Sequence, residues 1–223
     1  MSLISVKDQI ADACRIARRS PDSVRLIAVS KVKPASKIQA VYDQGVRDFG
    51  ENYADELSAK ALALSHLSDI NWIFLGQLQS NKIQKLVEHA AEIQTVASIK
   101  HARYIQRYSL EFKKSNFPVW IQINADAEAQ KFGVTPSETP ELAALIKTQC
   151  PNLRLMGLMA IPPSSFSDKE CQGVVPSLYE NLIRLARTIG AGKISLGMSS
   201  DLGIAIAAGS DCVRIGTAIF GER

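Results

Sequence analysis

The stretch Leu26-Ile27-Ala28-Val29-Ser30-Lys31-Val32-Lys33-Pro34 decides the fold. Its four consecutive apolar residues, stopped by Ser30-Lys31, are too few for a helix of usual length. They also lack the apolar–polar alternation of a strand with one wet face, so the run reads as a strand buried on both sides of a parallel sheet. Helical patterns flank it. Upstream, Ile4, Ile10, Ala11, Cys14 and Ile16-Ala17 space out as an amphipathic stripe ending near Arg19, and Ser20-Pro21-Asp22 breaks it. Downstream, helical spacing from Ser36 to Gln44 follows Pro34 and closes at Gly45.

The same strand–helix unit repeats along the chain. Short strands are expected at Asp48–Phe49, Trp72–Leu75, Ile93–Val96, Val119–Ile123, Leu155–Met159, Ile194–Leu196 and Val213–Ile215. Helical patterns fill most intervals: Ala54–Leu64, Asn81–His89, Ile99–Lys113, Glu138–Thr148, Leu178–Ile189 and Asp201–Ala208. With the first run, eight strands alternate with helices, and no Gly/Ser-rich linker or shift of composition divides them. Residues 1–223 therefore read as a single domain of the α/β class, a (β/α)8 TIM barrel with an extra N-terminal helix. A doubly wound open sheet is the alternative. In a barrel the active face lies at the C-terminal ends of the strands, and phosphate is often held after strands seven and eight.

Composition narrows the function classes. The 223 residues carry 26 Lys+Arg against 22 Asp+Glu, with 46% hydrophobic and 22% charged residues, which excludes a disordered or fibrous chain. A chain this long buries roughly 70% of its unfolded surface and needs no disulfide or metal staple. The net charge of +4 is dispersed, in pairs such as Arg18-Arg19 and Lys113-Lys114, and aromatics are only 6%. Nucleic-acid binding needs a concentrated basic stripe with stacking aromatics, so no nucleic-acid partner is expected. Cys14, Cys150, Cys171 and Cys212 form no C-x-x-C pair, so metal-site spacing is absent. Lys7, Asp8, Asp12 and Arg15 interrupt the first residues, unlike a signal peptide, and no run reaches the ~18 apolar residues of a membrane span. A cytoplasmic protein with no membrane partner is expected.

The strand ends carry the chemistry. Lys31 directly follows the first apolar run, so its stem begins in the barrel wall, and Lys33 is a second cation close by. Desolvation and a like-charged neighbour both favour the neutral amine, the form that attacks an aldehyde. After strand seven, Ser199, Ser200 and Asp201 read either as an ordinary helix cap or as hydroxyls and amides suited to a phosphate dianion. After strand eight, Gly216 lets the backbone approach a ligand and Thr217 adds a hydroxyl. Arg214 alternates with Val213 and Ile215 and so faces away from them. Its partner is either a carboxylate such as Asp48, Glu51 or Asp211, or a ligand acceptor, since a guanidinium only donates. Asn52 and Ser80 read first as helix caps, and Lys131 as a loop lysine on the same face. His66, His89 and His101 lie on or beside helices, away from the strand ends, and are assigned no catalysis.

Six segments, in order and spanning nearly the whole chain, resemble the pyridoxal phosphate homeostasis protein family: LIAVSKVKP (Leu26–Pro34), FGENY (Phe49–Tyr53), LGQLQSNK (Leu75–Lys82), GLMAIPP (Gly157–Pro163), LGMSSD (Leu196–Asp201) and VRIGTAIFGER (Val213–Arg223). The resemblance implies a barrel like the N-terminal domain of bacterial alanine racemase. It implies that Lys31 holds pyridoxal 5'-phosphate (PLP) as an internal aldimine, a Schiff base. It places the phosphate on Ser199, Ser200, Gly216 and Thr217, the pyridine nitrogen on Arg214 and Asn52 near the cofactor, and makes Lys131 a possible secondary PLP site. One departure is visible: many members have Trp-His where this chain has Trp72-Ile73. An Arg214 that keeps its charge would discourage protonation of the pyridine and weaken it as an electron sink. The racemases add a second domain and a tyrosine base from a second subunit, and the few residues after Val213–Ile215 are expected to leave no room for that domain. The expectation is a non-catalytic, or barely catalytic, PLP-binding monomer without a catalytic residue. It would take part in vitamin B6 and amino- and keto-acid homeostasis, with PLP-dependent apoenzymes as possible recipients. The alternatives are a PLP-dependent amino-acid racemase or decarboxylase, and a Schiff-base aldolase that uses no cofactor.

Overall fold

A computed structural model describes residues 2–125, 132–163 and 165–221. Each short apolar run becomes a strand: β1 (Arg25–Val29), β2 (Asp48–Glu51), β3 (Asn71–Phe74), β4 (Glu92–Val96), β5 (Phe117–Ile123), β6 (Leu153–Ala160), β7 (Lys193–Ser195) and β8 (Cys212–Ile215). They pair in chain order, all parallel, and β8 returns to β1 through the register Arg25↔Cys212 to Ala28↔Ile215. The sheet is thus a closed (β/α)8 barrel, and the open doubly wound alternative is ruled out. Around it lie α1 (Leu3–Ile16), α2 (Ala35–Tyr42), α3 (Ala54–Ala63), α4 (Ile83–His89), α5 (Ile99–Glu111), α6 (Thr139–Gln149), α7 (Asp168–Cys171), α8 (Ser177–Ala186), α9 (Leu202–Ala208) and α10 (Thr217–Phe220). At four residues each, α7 and α10 are single turns, too short to announce themselves by periodicity.

Strand alternation sorts the side chains into two compartments. Ala28, Phe49, Phe74, Ile93, Val119 and Ile121 face the helices in one continuous apolar layer. Ile27, Ile73 and Cys212 meet inside the barrel. Full burial of one such side chain is worth about 1.5–3 kcal/mol, so the layer between sheet and helices dominates stability. At the N-terminal end of the strands the interior turns polar. The Arg25 guanidinium donates to Asp48 at 2.7 and 2.8 Å and to Glu92 at 2.7 Å.

The extra N-terminal helix seals the outside of β8. Val6, Ile10 and Cys14 of α1 pack against Val213 and Ile215 and against Leu202 and Ile206 of α9. The buried stripe starts from Leu3 and continues at Val6, Ile10 and Cys14. Ile4 and Ile16, which the sequence placed on this stripe, are 67% and 74% exposed, because helical spacing from Leu3 puts them on the outer face. No helix among the described residues is long and apolar enough to cross a membrane.

Candidate functional site

The C-terminal mouth of the barrel holds a cavity of about 340 Å³, within the range of small-molecule sites. Its polar lining is Lys31, Asn52, Ser199, Ser200, Arg214, Gly216 and Thr217, so the barrel gathers seven of the eight site residues expected from the sequence. The eighth, Lys131, lies outside the described residues. Val29, Leu75, Met159, Ile161 and Met198 supply an apolar wall. No pattern in the sequence marks these five as one wall, although each sits at a strand end.

Lys31 follows β1 and is held by its neighbours rather than by contacts of its own. Its amine has no hydrogen-bond partner among the described residues. Before it, the Ser30 N–H donates to Gly50 O at 2.9 Å, and the buried Ser30 hydroxyl donates to Glu51 Oε1 at 2.5 Å. After it, the Val32 N–H donates to Glu56 Oε1 at 2.6 Å. Lys60 on α3 joins both sides: its ammonium donates to Ser30 O, Glu51 Oε1 and Glu56 Oε1, each at 2.7 Å. Burial pushes the Glu51 carboxyl above its ordinary value, against the opposing pull of Lys60 and Ser30. The Lys33 ammonium, expected beside Lys31, donates to Gly221 O at 2.9 Å.

Arg214 points into the barrel with Cys212, and it is buried. Its Nη1 donates to Ser195 Oγ at 2.7 Å and its Nη2 to Ala160 O at 2.8 Å. None of the carboxylates offered by the sequence is its partner. Asp48 takes Arg25, Glu51 takes Lys60, and Asp211 takes Arg187 at 2.7 Å and Lys193 at 3.1 Å. Desolvation lowers the Arg214 pKa, offset by the nearby Asp201 charge among others. A guanidinium has five N–H donors, so a ligand facing the cavity can still be met.

The loop after β7 is built around Asp201. Its Oδ1 accepts the Met198 N–H at 2.7 Å, and its Oδ2 accepts the Tyr179 hydroxyl at 2.7 Å. Burial raises the Asp201 carboxyl, while Tyr179, Met198 and Arg214 act to lower it. Gly197 makes the exit possible: it has φ +106°, and a Cβ there would lie 2.7 Å from Ala205 Cβ. Neither Ser199 nor Ser200 caps α9. The Gly203 and Ile204 N–H groups instead donate to the two oxygens of Asp168, both at 2.8 Å. That leaves both serine hydroxyls without a partner among the described residues. Asn52 and Ser80 are not side-chain caps either. Helix α3 starts after Tyr53 with no side-chain cap bond, and Ser80 sits in a 3-10 turn. Gly76 explains how Asn52 is placed, since a Cβ on it would fall 1.8 Å from Asn52 O. Ile73, at the position of the missing histidine, fills the barrel interior instead.

The donor set therefore comprises one free amine, three hydroxyls, an arginine and a glycine backbone. At Gly216 a Cβ would come within 3.2 Å of Val29 O, so a side chain on this edge would press on the β1 backbone. Such a set suits a flat, singly phosphorylated aldehyde: the amine meets the carbonyl and the hydroxyls meet the phosphate. Among the described residues no three His, Cys, Asp or Glu side chains gather as metal ligands.

Known proteins resemble this chain over nearly its whole length. The family model "Alanine racemase, N-terminal domain" matches residues 5–223. The chain is 41% identical over 225 residues to the pyridoxal phosphate homeostasis protein of Pseudomonas aeruginosa, covering 100% of this chain and 94% of that one. It is 37% identical over 238 residues to the protein of the same name from Caenorhabditis elegans, covering 100% and 95%. PipY of Synechococcus elongatus, solved with PLP bound, superposes with a TM-score of 0.76 at 34% identity, covering 95% of this chain and 100% of that one.

Proposed function

The chain belongs to the alanine racemase N-terminal domain family, among the pyridoxal phosphate homeostasis proteins, and we propose that it holds PLP in the mouth of its barrel with Lys31 as the anchor. The observation that carries this reading is the convergence of a free amine, the Ser199, Ser200 and Thr217 hydroxyls and Arg214 on one cavity. PLP supplies a reactive aldehyde and an electron-accepting ring when bound. Lys31 is the nucleophile for that aldehyde. Ser199, Ser200 and Thr217 donate to phosphate oxygens, and Gly216 brings backbone close to them. Asn52 flanks the ring, and the apolar wall from Val29 to Met198 excludes water from it. Arg214 donates toward the ring nitrogen and stays charged, so it keeps that nitrogen from gaining a proton.

An unprotonated ring withdraws electrons poorly, which favours custody of the cofactor over turnover. The chain thus serves vitamin B6 and amino- and keto-acid homeostasis, protecting the aldehyde and passing PLP to PLP-dependent apoenzymes. Residues 1–223 act as one PLP-binding unit, a cytoplasmic monomer, with Lys131 as a secondary PLP site. The test is a titration of the apoprotein with PLP, followed by visible absorbance, alongside Lys31→Ala. Saturable uptake by the wild type and its loss in the variant are expected. Exchange of amino-acid α-protons in deuterated water should stay at the level of Lys31→Ala. Sustained exchange that needs Lys31 would overturn the non-catalytic reading in favour of a racemase or decarboxylase.

A further inference from the structure

Val32, the residue after Lys31, has φ +61°. This is the left-handed region, rarely adopted by a β-branched residue and ordinarily given to glycine. Packing does not impose it, because Val32 is 56% exposed. Val32 is the third residue of a turn that the Lys33 N–H closes on Ser30 O at 3.0 Å, and its own N–H is tied to the protein by donating to Glu56 Oε1 at 2.6 Å. The same oxygen accepts the Lys60 ammonium at 2.7 Å, and Lys60 reaches back to Ser30 O at 2.7 Å. The residues on either side of Lys31 are therefore fastened to one helix, α3, by a single carboxylate–ammonium pair. Glu56 does not line the cavity. An unfavourable backbone conformation that persists next to a reactive side chain, held by a bond made for it, is the mark of imposed geometry.

We propose that Glu56 is a positioning residue for Lys31: it fixes the left-handed turn at Val32 and so aims the Lys31 amine into the cavity. The inference rests on the reading of Lys31 as the PLP anchor. If Glu56 served only as a counter-ion for Lys60, the conformation of Val32 would not matter to the cofactor. A suppressor experiment separates the two roles. PLP-loaded wild type, Glu56→Ala, Glu56→Gln, Val32→Gly and the double variant Val32→Gly/Glu56→Ala are mixed with a trap for free PLP. The rate at which protein-bound PLP absorbance disappears is then followed.

Glu56→Ala should release PLP about ten-fold faster, equivalent to about 1.4 kcal/mol. Glu56→Gln keeps an oxygen for the Val32 N–H and should stay within about three-fold of the wild type, since a neutral acceptor still bonds the amide. The double variant should return to within about three-fold as well, because glycine takes the left-handed turn without help. An unchanged rate in Glu56→Ala, or no rescue by Val32→Gly, overturns the proposal. Should Glu56→Ala not fold, Glu56→Ser takes its place, with and without Val32→Gly: an unchanged rate, or no rescue by Val32→Gly, overturns the proposal, and a ten-fold faster release in Glu56→Gln overturns it too, because charge and not the backbone bond would then be what counts. A wild type that takes up no PLP sinks the cofactor reading together with this one. A wild type that binds PLP while all Glu56 variants release it at the same rate sinks only the positioning role.

Discussion

Removing one oxygen atom tests how the loop after β7 is built. Tyr179 is fully buried and donates its hydroxyl to Asp201 Oδ2 at 2.7 Å, while Oδ1 holds the Met198 N–H at 2.7 Å. Tyr179→Phe leaves the ring packing intact and strips a buried carboxylate oxygen of its donor. A hydrogen bond to a charged group is worth about 1.5–3 kcal/mol, so a loss of about 2 kcal/mol is expected. For a chain of this size that lowers the melting temperature by about 4–8 °C. The pH dependence fixes the sign. Burial already holds the folded-state Asp201 above its ordinary value of 3.8, and the Tyr179 bond opposes the shift. Without that bond the folded carboxyl rises further and binds a proton more tightly than the unfolded chain does. The deficit of the variant must therefore be smallest at acid pH and grow as pH rises, by at most about 1.4 kcal/mol per unit. Thermal and urea unfolding of apoprotein between pH 4.5 and 8, at steps of about half a unit, provides the assay. A deficit that widens toward acid pH, or one below about 0.5 kcal/mol throughout, would refute the reasoning.

Lys60→Met should cost about 3–5 kcal/mol in urea unfolding, because it abandons the buried Glu51 carboxylate. Adding Glu51→Gln should recover most of that loss, and a double variant no better than the single would show that the ion pair is not the source. Ser199→Ala and Ser200→Ala should each weaken PLP binding by about ten-fold, the scale of one charge-assisted hydrogen bond. Since neither hydroxyl engages another of the described residues, stability should stay within about 0.5 kcal/mol. A matching loss of stability in either variant would mean that its hydroxyl serves the fold.

The barrel was legible because its strands are short apolar runs at regular intervals, each ending where the chain turns polar. Lys31, Arg214, Ser199 and Gly216 were legible for the same reason: a barrel sends strand ends to one mouth, whatever their distance in sequence. Partner choice was not legible. The sequence offered Glu51 to Arg214, yet closure of the barrel puts Glu51 beside Lys60, nine residues on, and leaves Arg214 with a serine and a carbonyl. The cap of α9 was equally hidden, because Asp168 comes from a single turn 35 residues before Gly203 and no local pattern announces it. On α1, Ile4 and Ile16 read as core by type, but the helical angle from Leu3 turns both outward. Short runs fix elements, whereas contacts between distant elements are fixed by how those elements close on one another.

Anchoring of PLP by Lys31 is tested most directly by one measurement. The protein is loaded with PLP, reduced with borohydride, digested and mapped by mass spectrometry. A visible absorbance that reduction abolishes, with the pyridoxyl mass on the peptide carrying Lys31, is the expected result. A protein that takes up no PLP, or a label on other lysines that leaves Lys31 unmodified, would contradict it.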